Sequence, residues 1–239
     1  MELFDKNTRM TELVYANYLL LPVLNRFGIS LGFQDKSVFD VCTEKEIDMN
    51  FFLAIVNTFH QHEYFPEDEL QSFSSNLIVD YLRKSHLDFL KDSLPNIEVL
   101  LLKVVESSKS NDLKIIQTFY NKYKEELLEH IKDEEENAFP YVLELQKVYE
   151  LNINPLPKHI ANYSIQSFEK EHTNVDEKLF DLKNIIIKFL QPSYNDKYCN
   201  EFLFKLFQFE RDLTDHARIE DKILVPKVIG IEKELKNEN

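Results

Sequence analysis

Residues 130–140 read HIKDEEENAFP, and residues 216–226 read HARIEDKILVP. The two stretches share His, Glu and Pro in the same places: His130, Glu134 and Pro140 against His216, Glu220 and Pro226, 86 residues apart. Working outward, a further histidine lies 44 residues upstream of each stretch, His86 and His172, and these two are again 86 apart. Four histidines and two glutamates thus keep one register in two halves of the chain.

The sequence around both copies reads as helix. Only 3 Gly and 8 Pro occur in 239 residues, too little turn chemistry for a sandwich or barrel. Apolar residues recur at steps of three and four, the mark of an amphipathic helix. The first long helix, about 76–106, carries Val79, Leu82, His86 and Phe89. The second, about 113–149, carries Ile116, Phe119, Tyr123, Leu127, His130 and Glu134. In the third, Ile165, Phe168, His172, Val175, Leu179, Leu182, Ile186 and Phe189 share one side. The fourth carries Phe202, Leu206, Phe209, Leu213, His216, Glu220 and Ile223. Pro95 should kink or restart its helix, Pro140 should kink the second, and Pro226 should kink or end the fourth, because proline has no N–H to give.

Short connections make an up-down-up-down antiparallel four-helix bundle the simplest packing, over residues 76–232. The fold class is therefore all-α. Residues 1–70 read as a small helical N-terminal domain, in which Pro22 restarts a helix and Gly28 and Gly32 mark a turn-rich connection. The polar, acidic stretch 60–75 reads as the linker between the two. With 44% apolar residues, including 19 Phe and 11 Tyr, there is ample material for a core.

A formal net charge of −14 argues against nucleic acid or an anionic membrane as partner. Cys42 and Cys199 stand in no motif, and no run approaches the length of a membrane span. The N-terminus carries no apolar leader segment, so a cytoplasmic location is the expectation.

A single histidine on an apolar face is more often a satisfied core residue than a ligand. Four in phase are another matter, particularly as His130 and His216 each have a glutamate one turn on, on the same helix face. A buried carboxylate is costly unless it is paired or bound to a metal. Imidazoles and carboxylates converging inside a bundle are how helical proteins build metal sites. Nitrogen and oxygen donors without thiolate suit iron ahead of manganese or zinc. Two ions sharing two glutamate bridges and an oxo or hydroxo bridge would keep an open position for a small ligand such as dioxygen or nitric oxide. Of the acids from Asp133 to Glu136, only Glu134 has the phase to turn inward. His60, His62 and His159 read as solvated.

The pattern of His86, His130-x3-Glu134, His172 and His216-x3-Glu220, with Phe139-Pro140 and Val225-Pro226 trailing, resembles the hemerythrin-like domain. More narrowly, nearly the whole chain is similar to the iron–sulfur cluster repair di-iron proteins, the repair of iron centres family. The resemblance implies two non-haem irons, oxo- or hydroxo-bridged, with the four histidines as terminal ligands and Glu134 and Glu220 as bridges. It also implies a role for Glu126 and Glu171 in iron or proton movement, and a function in restoring iron–sulfur clusters damaged by nitric oxide or peroxide. Damaged iron–sulfur proteins are then the expected partners. The family's N-terminal module carries an adjacent cysteine pair, where this chain has Gly32 and Phe33. That departure puts a dithiol function in doubt and leaves the module as a packing or homodimerisation element. Two rivals use the same site: an oxygen or nitric oxide binding or sensing module without repair activity, and a di-iron reductase of peroxide or nitric oxide. The expectation leans towards a binding or repair protein rather than a turnover enzyme.

Overall fold

The structure, a computed structural model, describes residues 2–108, 112–153, 157, 160, 164–165 and 175–237. All regular elements among the described residues are helical, apart from one isolated bridge between Arg9 and Ser37. The all-α class is therefore as expected. No helix among the described residues is long and apolar enough to cross a membrane. The chain divides into two compact units, Met1–Ser85 and His86–Asn239.

The first unit holds α1 (Met10–Ala16), α2 (Leu21–Arg26), α3 (Val38–Glu44), α4 (Met49–His60), α5 (Glu67–Ser72) and most of α6 (Ser75–Asp88). Pro22 sits in the first turn of α2, where a missing N–H costs nothing. Gly28 ends that helix at φ +69°, as Ile29 N–H bonds Leu24 O and Gly28 N–H bonds Asn25 O. Ser37 caps α3 in a reciprocal box with Asp40, and Asp48 caps α4 by accepting from Phe51 N–H.

Composition places the boundary near residue 70, but the first turns of α6 belong to this unit. Tyr81 packs on Phe27, Phe51 and Phe59, an aromatic cluster that no helical period reveals. The stretch read as a linker is partly ordered as α5, with Leu70 buried. His60, expected in solvent, is buried against the Phe4 ring at 4.3 Å.

In the second unit, α7 (Leu94–Glu106), α8 (Asp112–Asp133), α10 (Val175–Phe189) and α11 (Asp196–Ile219) close a ring of packed neighbours. Helix α7 packs on α8 and α11, and α10 packs on α8 and α11. The α7–α8 and α10–α11 turns meet at one end, where Ser107 Oγ accepts from Asn195 N–H at 2.9 Å. Neighbours that follow one another in sequence, with adjacent turns, make this the up-down-up-down bundle expected. Ion pairs stitch the ring: Lys124–Glu98, Lys178–Glu126 and Lys183–Glu210. At the other end α9 (Phe139–Glu150) packs on α12 (Val225–Asn237), and buried Glu232 accepts from Tyr141 O–H at 2.6 Å.

The apolar stripes form the core, with Leu101, Tyr120, Tyr123, Leu127, Leu182, Phe202, Leu206 and Phe209 all buried. Phe189 departs from the expectation and is 69% exposed, because it is the last residue of α10 and the core ends a turn earlier at Ile186. Phe168, His172 and Val175 of the same stripe fall among residues whose side chains lie outside the described set.

All three prolines restart their helices in one way. Phe89–Ser93, Glu134–Ala138 and Glu220–Leu224 are π-turns, each leading into a helix with proline in its first turn. In each, the residue before proline donates five residues back: Leu94 to Phe89, Phe139 to Glu134, Val225 to Glu220. A π-turn holds one residue more than an α-turn, and such turns gather at functional sites.

Candidate metal centre

Two of the three π-turns open on a glutamate, Glu134 and Glu220, and both side chains are buried. The third opens on Phe89, three residues after His86. The turns thus bring α6, α8 and α11 together at one level. His86, Glu134, His216 and Glu220 converge there, each offering a ligand atom within 4.8 Å of the others.

His86 Nε2 lies 3.0 Å from Glu134 Oε2 and 3.2 Å from His216 Nε2. His130 Nε2 lies 3.0 Å from Glu134 Oε1, and His216 Nε2 lies 3.3 Å from Glu220 Oε1. Glu134 therefore spans two imidazoles with its two oxygens. His130 is the most open member, with 19% of its side chain exposed against 2% for His86. Aromatic rings wall the cluster: Phe139 stacks on His86 at 5.4 Å and 12°, and Phe89 meets His216 edge-on at 5.4 Å.

Five of the six expected ligands are thus described and drawn together. His172 lies outside the described residues, as do Glu171 and His159. Glu126 is half-buried and ion-paired with Lys178 of α10.

One neighbour escaped the sequence reading. Glu135, expected in solvent with the other acids of its run, is half-buried and reaches His86 Nδ1 with Oε1 at 2.8 Å. The available signal was Pro140 itself, since the widened turn before it lets consecutive residues share the inner flank of the helix.

Burial alone would push the His86 imidazole down, but Glu134 and Glu135 bonded to it, with Glu220 nearby, raise it to about 9. In metal-free protein this histidine is therefore a cation at neutral pH, held by carboxylates. A group raised in the fold gives stability that is full below its unfolded value, near 6.5, and is lost as pH passes about 9. The difference is worth on the order of 3 kcal/mol. Urea unfolding of metal-free protein should show stability falling between pH 6.5 and 9.5, and His86→Ala should abolish most of that slope.

Two carboxylates and at least three imidazoles, nearly dry and without thiolate, are a donor set fit for a divalent or trivalent metal of the iron type. Protons at His86 stand where a metal's charge would otherwise balance Glu134 and Glu220.

Comparison with known proteins agrees with this chemistry. The chain is 20% identical over 221 residues to the iron-sulfur cluster repair protein ScdA of Staphylococcus haemolyticus (strain JCSC1435), covering 91% of this chain and 96% of that protein. The family model described as hemerythrin HHE cation binding domain matches residues 77–228, a span that contains every member of the cluster. The chain belongs to the hemerythrin HHE cation binding domain family.

Proposed function

We propose that the protein is a non-haem di-iron protein acting in repair or protection of iron–sulfur and other iron centres under nitrosative or oxidative stress. The observation that carries this reading is the buried meeting of His86, Glu134, His216 and Glu220 within 4.8 Å. Likeness to a repair protein over nearly the full length of both chains supports the repair role. In this reading His86, His130, Glu134, His172, His216 and Glu220 would hold the iron. Iron, when bound, would supply a redox-active Lewis acid able to take dioxygen, nitric oxide or peroxide.

The chain's own residues shape that chemistry. Glu134 holds one oxygen against each of His86 and His130, so its position ties two helices to the centre. Phe89 and Phe139 keep water from the inner side, and the partly exposed His130 marks the side open to solvent. The protein works in this reading in the cytoplasm, with damaged iron–sulfur proteins as partners.

Protein purified without air and loaded with ferrous iron should hold about two irons per chain, as expected for a bundle site with shared glutamates. The loaded protein should restore activity to an iron–sulfur enzyme damaged by nitric oxide. Failure to take up iron would end the di-iron reading.

A second reading, an oxygen or nitric oxide binding module without repair, is favoured by one observation. Gly32 and Phe33 place no thiol in the N-terminal turn, and burial pushes the nearby Cys42 thiol up to about 11, which keeps it unreactive. Iron-loaded protein that binds nitric oxide yet restores no damaged enzyme would select this reading. Sustained turnover of peroxide with an electron donor would instead select a reductase.

A further inference from the structure

His86 meets the cluster with one nitrogen and Glu135 with the other. Nε2 faces Glu134 and His216, while Nδ1 lies 2.8 Å from Glu135 Oε1. A carboxylate on Nδ1 holds the proton there, so the proton given up to a metal would be the one on Nε2, which faces the cluster. Phe139, stacked on the same ring at 12°, removes the remaining freedom to tilt. His216 is placed differently. It also presents Nε2, but its Nδ1 is buried with no hydrogen-bond partner among the described residues.

Glu135 follows Glu134 at the start of its π-turn, which places it beside His86. We propose that Glu135 is a positioning residue of the metal centre, which sets the tautomer and orientation of His86 and makes it the anchoring imidazole of the pair His86–His216. The inference rests on the metal-binding reading above. Glu135 touches no ion itself and acts through His86. It strengthens His86 as a donor, because a carboxylate on the far nitrogen raises the basicity of the near one. Retention of metal is then set more by His86 than by His216.

The test uses the full chain with Glu135→Ala and Glu135→Gln, and with ferrous iron and cobalt(II) as probes. Three quantities are read: affinity by chelator competition, the visible spectrum of the cobalt form, and the thermal midpoint of metal-free protein. Glu135→Ala should weaken metal binding by roughly 10- to 100-fold, the usual loss when the partner of a ligating histidine is removed, and should shift the cobalt spectrum. Glu135→Gln keeps an oxygen that can accept from Nδ1–H, so it should recover the spectrum and most of the affinity. A merely structural role would lower the metal-free midpoint in both variants and leave affinity and spectrum unchanged, which would overturn the proposal. Wild-type affinity and spectrum in Glu135→Ala would overturn it as well, while leaving the metal-binding reading intact. Wild-type protein that binds neither ion would overturn both.

Discussion

Glu134→Ala is expected to lose essentially all bound iron while keeping its fold. The carboxylate is fully buried, and its two oxygens sit 3.0 Å from His86 Nε2 and 3.0 Å from His130 Nε2. Its removal takes a carboxylate oxygen from both imidazoles. The fold should survive at some cost in stability, because the His86 imidazole loses one carboxylate partner but keeps Glu135 and can shed its proton. Helix α8 and its π-turn are held by backbone bonds and by the apolar contacts of Leu127, Ile131, Ala138 and Phe139. A metal held by this cluster would stabilise only the folded chain, so wild-type protein should gain thermal stability with iron, and the variant should gain none. Metal analysis after anaerobic loading, with thermal unfolding in parallel, reads both effects. A variant that keeps the wild-type iron content would remove Glu134 from the site.

Phe202→Ala should do the reverse, sparing the metal and weakening the fold. Phe202 is 1% exposed on α11, in the core formed with Leu101, Leu206 and Cys199. Cutting a buried phenylalanine to alanine leaves a cavity and typically costs about 3–5 kcal/mol. For a unit of this size that lowers the thermal midpoint by roughly 10 °C. Phe204, two residues on and 70% exposed, is the matched comparison. Its alanine variant should stay within about 0.5 kcal/mol of wild type. Chemical denaturation of both variants checks the pair, and equal losses would show that the assigned core face of α11 is wrong. At low temperature Phe202→Ala should still take up iron, because the residue lies outside the His/Glu cluster.

These two variants also mark what the sequence made legible. The bundle could be read because burial imposes a period on each helix, and the candidate site stood out because the same period carried His and Glu in two copies. In the fourth helix Phe202, Leu206, Phe209, Leu213 and Ile223 are all buried, as their spacing required. The reading failed where structure departs from a regular helix or joins distant parts of the chain. Glu135 was assigned to water because a uniform 3.6-residue turn puts it beside the stripe, whereas a π-turn widens the helix there. Phe189 was assigned to the core because it has the right phase, but phase does not say where the covering helix stops. His60 was assigned to solvent because its neighbour Phe4 is 56 residues away in sequence. The first turns of α6 were given to the bundle for the same reason, since Phe27 and Phe51 claim Tyr81 from far upstream.

The three π-turns have a mechanical consequence. Proline already breaks the backbone ladder at Pro95, Pro140 and Pro226, so the extra residue is housed where hydrogen bonding is weakest anyway. Each turn is a soft joint in an otherwise stiff rod, and the joints of α6–α7, α8–α9 and α11–α12 all border the His/Glu cluster. On one side lies the long pack of α7, α8, α10 and α11 with its closed apolar core, and on the other the short pack of α9 and α12. Bending at these joints would loosen the short pack without opening the long one. An ion held by the cluster would then come and go at the cost of a local motion, while the long pack stays shut.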